Sequence, residues 1–327
     1  MKKLIQTKEN GPILFLLGNL AFATNGIWLK MAPAESSSFT LAAFRMIIGC
    51  LCLLLWLKLR KKQFSLKNWN WKYIFLYAVG LWGFQVFLFQ SILTIGVAIG
   101  TVIAVGSTPL FAGLIQWIIQ RKLPGKIWFI STGVAILGLV FLNVGNSGQS
   151  LSISELLLPV FSGFCSAVTL FAGPKLSLTH APEEGVVLVT FIAALLFLPF
   201  LFFCPISWIG SPEGLCSVIM LGVVNCALAY SLILAGLKTT QPATASCLSL
   251  SEPMGAALIG IVFLGEKLTL NSALGIFLIF ISVVLTLFVS SVKREDEGKA
   301  EKLCNHFLAS YFSNSSWNYV LFCFWKY

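Results

Sequence analysis

Ser107-Thr-Pro-Leu-Phe-Ala-Gly-Leu-Ile115 and Ser251-Glu-Pro-Met-Gly-Ala-Ala-Leu-Ile259 lie 144 residues apart and share Ser, Pro, Ala, Leu and Ile at matching places. Both sit in long apolar runs. A shift of 145 residues also lays Gly18, Thr24 and Lys30 on Gly163, Thr169 and Lys175. The spacing divides the chain into two units of about 145 residues, and the second ends near residue 290, where the last apolar run stops.

Cutting the sequence at charges and at Gly, Pro, Ser and Asn clusters gives ten apolar segments: Pro12–Met31, Phe39–Leu57, Tyr73–Leu93, Val97–Ile119, Ile127–Val144, Leu156–Pro174, Val186–Cys204, Gly214–Gly236, Ala243–Leu264 and Leu270–Ser290. A membrane helix needs about 20 residues. The first segment carries on past Ala23 to Met31, so it reads as a span and not as a cleaved signal peptide. Each unit holds five segments, and an odd number of crossings turns the second unit upside down relative to the first, the inverted-topology repeat of secondary transporters. The expected fold is therefore an all-α polytopic membrane protein of ten transmembrane helices. Residues 1–145 form the first repeat, 146–290 the second, and 291–327 a cytoplasmic tail rich in charged and aromatic residues.

Composition points the same way. Of 327 residues 57% are hydrophobic and 10% charged, against about 25% charged in a soluble domain. One soluble core of this length has no room for so much apolar surface. The net charge of +10 needs no nucleic acid to explain it, because the basic residues gather in short loops. Lys58, Arg60, Lys61, Lys62, Lys67 and Lys72 follow the second segment, and Arg121, Lys122 and Lys126 follow the fourth. By the positive-inside rule both loops are cytoplasmic, Thr94–Gly96 and Gly145–Ile153 face outward, and both termini lie inside. Trp56, Trp69, Trp71, Trp117 and Trp128 fall at the inner interface of this arrangement, the headgroup level that Trp prefers. Cys50, Cys52, Cys165, Cys226 and Cys247 stand inside apolar runs with no metal-ligand spacing, as small core residues. The tail is too polar to span; an interfacial segment and a disordered extension are both open.

Ser231-Leu-Ile-Leu-Ala-Gly-Leu-Lys238-Thr-Thr-Gln-Pro-Ala-Thr-Ala-Ser246, Ser251-Glu252-Pro253 and Gly265-Glu266-Lys267-Leu268-Thr269 resemble the second repeat of the drug/metabolite transporter superfamily, EamA type. Thr108-Pro109 and Phe44-Arg45 echo the first repeat. Arg121-Lys122-Leu123-Pro124 stands where that family often has Gly-Glu-Arg-Leu. The resemblance covers about residues 12–290. It implies a ten-helix carrier of small metabolites, often an exporter of amino acids or related compounds, driven by a gradient or by exchange.

Arg45 and Glu252 are the two formal charges well inside the apolar segments. An Arg near a helix centre costs about 2.5–3.5 kcal/mol on insertion scales, so both belong in the protein interior or in a water-filled cavity. Arg45 has two roles open to it, a tie between helices and a substrate contact. Glu252, the sole carboxylate at that depth, is the candidate carrier of a coupled proton; the competing role is to cap donors near a bend.

Pro253 removes a backbone donor and frees the carbonyl of Ser249, and Pro109 occupies the matching midpoint in the first unit. Paired irregularities in corresponding helices point to a transporter's binding site. Gln85, Thr108 and Asn225 lie near the same depth, with Asn19, Asn25, Gln90, Thr169 and Tyr230 further out. The expected substrate site is therefore Arg45, Gln85, Thr108, Asn225 and Glu252, with helix breaks at Pro109 and Pro253.

Enzymatic readings fail for want of residues. Asp296 is the only Asp, and the two His, His180 and His306, fall in a loop and in the tail. Neither an Asp-rich magnesium site, nor a His cluster for iron, nor an intramembrane Ser/His pair can be assembled, and there is no phosphate-binding Gly-x-x-x-x-Gly-Lys loop. No cofactor or metal is implied. The expected partners are a small-molecule substrate, a coupled proton or counter-substrate, and the lipid bilayer. A channel or a lipid-handling membrane protein is the alternative. With one midplane cation and one midplane anion, a cavity suits a molecule carrying both signs, such as an amino acid or an amine-bearing metabolite, better than a dianionic phosphate ester.

Overall fold

A computed structural model of the chain describes residues 10–61, 66–121, 123–143, 153–176, 180–265 and 268–288. The expected outward loop at 145–152 and the tail at 291–327 lie outside the described residues. The chain divides into two units, Met1–Thr286 and Leu287–Tyr327, and all described helical residues except Leu287 and Phe288 belong to the first.

Among the described residues there are ten apolar helices. They are α1 (Gly11–Met31), α2 (Ser38–Leu59), α3 (Trp71–Ile95), α4 (Val97–Gln120), α5 (Lys126–Asn143), α6 (Ile153–Leu176), α7 (Pro182–Phe203), α8 (Pro212–Leu237), α9 (Pro242–Phe263) and α10 (Leu270–Phe288). Nine are long and apolar enough to cross a membrane, and α5 is the shorter one. Helices are the expected solution, since lipid offers no partner for a backbone N–H or C=O and every such group must be satisfied within the segment. Pro12, Pro182, Pro212 and Pro242 stand in the first turns of α1, α7, α8 and α9, where a missing N–H costs nothing. At the start of α8, Ser211 Oγ accepts from the N–H of Gly214 at 3.0 Å.

The packing repeats when each helix is exchanged for the one five places on. α3 packs on α6 as α8 packs on α1, α4 on α6 as α9 on α1, and α2 on α8 as α7 on α3, while α2–α7 and α4–α9 map onto themselves. That is the contact pattern of two five-helix repeats facing each other, and it puts α1, α3, α4, α6, α8 and α9 around the middle. Small residues allow the close pairs. A Cβ on Gly236 of α8 would stand 2.6 Å from the backbone nitrogen of Phe15 and 2.7 Å from the carbonyl oxygen of Gly11, both on α1.

Two helices are interrupted. α1 breaks at Thr24 into Gly11–Ala23 and Asn25–Met31, and α9 breaks at Leu250 into Pro242–Ser249 and Ser251–Leu264. The α9 break answers to Pro253, whose ring leaves the Ser249 carbonyl without its donor. Serine hydroxyls compete for the same backbone. Ser246, Ser249 and Ser251 donate to the carbonyls of Ala243, Ser246 and Leu248 at 2.7, 2.8 and 2.7 Å.

The matching stretch of α4 behaves differently. Pro109 lies within an unbroken helix, where Ser107 and Thr108 both donate to the single carbonyl of Ala104 at 3.2 and 3.0 Å. Of the two expected breaks, the described backbone is interrupted only near Pro253. α8 also departs from regular geometry, since Leu221–Leu228 forms a wide-turned π-helical stretch between two α-helical halves. Such insertions concentrate at functional sites.

Three of the five tryptophans expected at the interface, Trp56, Trp71 and Trp117, are exposed. The other two turn inward. Trp69 stacks on His180 with ring centroids 3.9 Å apart, and Trp128 donates Nε1–H to the carbonyl of Ala243 at 2.8 Å.

Candidate functional site

A cavity of about 170 Å³ opens at the centre of the first unit, walled by α1, α2, α3, α4, α6, α8 and α9. At about 30 Å³ for a water in the liquid, it has room for on the order of six water-sized groups, the size of a small amino acid. Its wall is half aromatic and aliphatic and half polar. Phe15, Phe22, Tyr77, Phe84, Phe89 and Tyr230 supply rings, and Asn19, Asn25, Arg45, Gln85, Thr101, Ser166, Thr169, Ser249 and Glu252 supply polar groups.

Arg45 comes from α2, and its side chain crosses to α3, where Nη2 donates to Oε1 of Gln85. Gln85 is buried and its own Nε2 turns back along the helix to the carbonyl of Leu81 at 3.4 Å. The guanidinium is thus fixed by its neighbour, while its Nε has no partner within the protein. Glu252 sits just after the break in α9. Among the described residues its carboxylate accepts no hydrogen bond and forms no ion pair. Arg45, Glu252 and Tyr230 stand on the wall of the same cavity. Phe22 packs edge-on against Tyr230 at 4.9 Å.

Of the five residues singled out in the sequence, Arg45, Gln85 and Glu252 line the cavity, and Thr108 and Asn225 do not. Thr108 is buried and spends its hydroxyl on Ala104. Asn225 is fully buried and reaches α1, with Nδ2 2.9 Å from the carbonyl oxygen of Ala21. Asn19, Asn25, Thr169 and Tyr230, placed further out by the sequence reading, are in the wall, whereas Gln90 is exposed outside it.

The repeat itself carried a signal for several of these. At its spacing of 144 or 145 residues, Gln85 pairs with Tyr230, Leu88 with Ile233, Val105 with Ser249 and Asn25 with Leu170, and all eight line the cavity. The charges break this symmetry. Arg45 has Thr190 as its counterpart and Glu252 has Thr108, so the first repeat contributes the cation and the second the anion. Among the described residues no cluster of three or more His, Cys, Asp or Glu is placed to hold a metal.

Comparison with known proteins agrees with this architecture. The EamA-like transporter family matches residues 9–144 and 153–288, one match for each repeat. The uncharacterized transporter YwfM of Bacillus subtilis is 31% identical over 287 residues, covering 87% of this chain and 95% of that protein. The threonine/homoserine exporter RhtA of Escherichia coli K12 is 30% identical over 272 residues, or 79% of this chain and 85% of the exporter. A solved crystal structure superposes with a TM-score of 0.76 over 87% of this chain and 98% of its own, at 17% identity, which shows a shared fold.

Proposed function

The chain belongs to the EamA-like transporter family, so it is a multi-pass membrane transporter and not an enzyme, and we propose that it carries a zwitterionic amino acid or amine-bearing metabolite by alternating access. The observation that carries this reading is the pair Arg45 and Glu252, one cation and one anion on the wall of one cavity of about 170 Å³. The substrate carboxylate binds toward the Arg45 guanidinium on the cavity wall, and the substrate ammonium binds toward Glu252. A charge-assisted bond is stronger than a neutral one, so each end of a zwitterion offsets the loss of its own hydration. The aromatic part of the wall receives the side chain.

Gln85 acts through Arg45 by holding the guanidinium in place. Tyr230, its counterpart in the other repeat, offers a hydroxyl on the opposite wall. Pro109 and Pro253 shape the helices beside the site, and Thr108 and Asn225 support it from behind. The membrane is the bacterial inner (plasma) membrane, with both termini in the cytoplasm. Glu252 carries the coupled proton in this scheme, and a counter-substrate is the other source of drive. The exporter RhtA, 30% identical, makes threonine and homoserine the first compounds to try.

The deciding experiment is counterflow in proteoliposomes holding the full chain. Vesicles preloaded with an unlabelled amino acid accumulate labelled amino acid faster than empty ones if the protein is a carrier. A pore shows no such acceleration. Absence of counterflow with threonine, homoserine and a panel of other zwitterions would remove the reading.

A further inference from the structure

α1 is broken and its counterpart α6 is not, although the two match at 145 residues in Gly18 and Gly163, Thr24 and Thr169, and Lys30 and Lys175. Even the local hydrogen bonding matches. Thr24 Oγ1 donates to the carbonyl of Ala21 at 2.8 Å and Thr169 Oγ1 to that of Ser166 at 2.7 Å. The threonine is therefore not what breaks the helix, because α6 carries the same bond and continues from Ile153 to Leu176.

The difference lies in the helix packed opposite. α8 faces the break with Asn225, whose Nδ2 donates to the carbonyls of Ala21 at 2.9 Å and Phe22 at 3.3 Å and reaches Thr24 Oγ1 at 3.4 Å. At the corresponding place α3 faces α6 with Gly80, where an added Cβ would stand 3.0 Å from both the Cys165 carbonyl oxygen and Thr169 Cγ2. A glycine has nothing to donate. The asparagine amide offers its N–H to carbonyls that the N–H groups of Asn25 and Gly26 would take in a continuous helix, while from within α1 the Ala21 carbonyl accepts the shorter-range N–H of Thr24 at 3.2 Å and its hydroxyl at 2.8 Å.

The rest of α8 supports the interruption. Asn225 rides on the π-helical stretch Leu221–Leu228. About two turns earlier on α8, Ser217 Oγ donates to the carbonyl of Trp28 at 2.7 Å, and Trp28 Nε1 donates to Thr24 Oγ1 at 3.1 Å. The short outer piece of α1 is thereby held by α8 on one side of the break and by its own threonine on the other. Phe22 and Asn25, which flank the break, both line the cavity.

We propose that Asn225 is a positioning residue for the substrate cavity: by clasping the Ala21 and Phe22 carbonyls it keeps α1 open at Thr24 and so turns Phe22 and Asn25 together into the cavity wall. Without the amide donor, the Ala21 and Phe22 carbonyls take the N–H groups of Asn25 and Gly26, four residues on, in place of the Thr24 N–H that Ala21 accepts at the break. The outer piece then rotates about the helix axis, and residue 25 leaves the wall.

The test does not require the substrate to be known. A cysteine is placed by Asn25→Cys in the full chain in membranes, and its modification by a charged, membrane-impermeant thiol reagent is followed peptide by peptide in mass spectrometry, so that the native cysteines are read separately. Asn225→Asp, an isostere without an N–H, and Asn225→Ala each lower the rate at position 25 at least tenfold, while a cysteine from Ser166→Cys on α6 is modified within twofold of its original rate. Modification at 25 that stays within twofold, or that falls equally at 166, overturns the proposal. Counterflow of labelled L-threonine gives a second readout, with half-saturation raised about tenfold and the maximal rate held within twofold. An unmutated chain that does not move threonine counts against the amino-acid reading and leaves the labelling to decide the role of Asn225.

Discussion

Arg45 on α2 donates to the side-chain oxygen of Gln85 on α3, and no carboxylate stands in its place. A guanidinium held by a neutral amide keeps its full charge for a ligand, whereas one paired to a protein carboxylate would be neutralised before the substrate arrives. Gln85→Leu removes the acceptor and leaves a buried N–H unpaired, a cost of about 1–3 kcal/mol. At about 1.4 kcal/mol per tenfold, half-saturation for a carboxylate-bearing substrate rises at least fivefold. Gln85→Glu weakens it as well, because the new carboxylate competes with the substrate for Arg45. Uptake at the unmutated half-saturation in both variants would remove Arg45 from recognition.

Glu252 has a separate part to play. Among the described residues it is the sole carboxylate on the cavity wall, and a proton that travels with the substrate needs a group that binds and releases it during the cycle. Glu252→Gln keeps shape and hydrogen bonding but cannot change charge. Transport driven by an imposed pH gradient falls at least tenfold in this variant, while exchange between labelled and unlabelled substrate remains measurable at a raised half-saturation. Gradient-driven uptake at the original rate would assign the coupling elsewhere.

Topology is checked independently of substrate. Reporter fusions or thiol labelling at residues 65, 123 and 295 report the cytoplasm, and position 148 reports the outside, because basic loops are retained inside. A cytoplasmic position 148 would contradict ten crossings.

The fold was legible because the signals that specify it are redundant. Ten apolar segments are each long enough to be seen alone, and the match of Ser107–Ile115 to Ser251–Ile259 ties the halves together. Membrane-buried charges were legible for a similar reason, since Arg45 and Glu252 are too costly to stand anywhere but in the interior. Hydroxyl and amide side chains carry no such penalty. Thr108 and Asn225 satisfy backbone carbonyls outside the cavity, while Asn19, at first sight a similar residue, lines it. Rotation about a helix axis decides between these outcomes, and depth along the axis does not reveal it. The α4 helix makes the same point for breaks, because Pro109 leaves it continuous where Ser107 and Thr108 bond one carbonyl, whereas the three serines beside Pro253 bond three different carbonyls of α9.

Arg121 and Gly265 end α4 and α9 at matching places of the repeat, both in the left-handed conformation, with φ of 55° and 70°. Glycine adopts this region freely, and a residue with a Cβ does so at a cost of about 1–2 kcal/mol. Arg121→Gly relieves that cost and gives back part of it through a more flexible unfolded chain. The net effect is a gain of about 0.5–1 kcal/mol, read as a higher midpoint of thermal unfolding in detergent. A lowered midpoint would mean that the Arg121 side chain contributes more than its backbone loses.

Substrate class follows from the charge balance of the cavity. Lys30, Lys175 and Lys238 sit at helix ends. Lys175 Nζ donates to Tyr73 Oη at 2.8 Å and lies 4.7 Å from the Phe171 ring; Lys238 Nζ donates to the carbonyl of His180 at 3.0 Å. Ammonium groups so engaged snorkel to the interface and leave Arg45 as the cation on the wall. A dianionic sugar phosphate moving from water to this site would exchange its hydration for one guanidinium while facing the carboxylate of Glu252, and burying an ion without adequate pairing costs several kcal/mol. A zwitterion meets one charge of each sign and carries no net charge into the cavity. In proteoliposomes, labelled amino acids therefore show counterflow and sugar phosphates show none. Arg45→Ala abolishes counterflow of the amino acid but spares an amine that lacks the carboxylate, and Glu252→Gln, assayed by exchange at fixed pH, weakens both. Transport of a sugar phosphate by a chain that rejects every zwitterion would place additional cations on the transport path and overturn the charge argument.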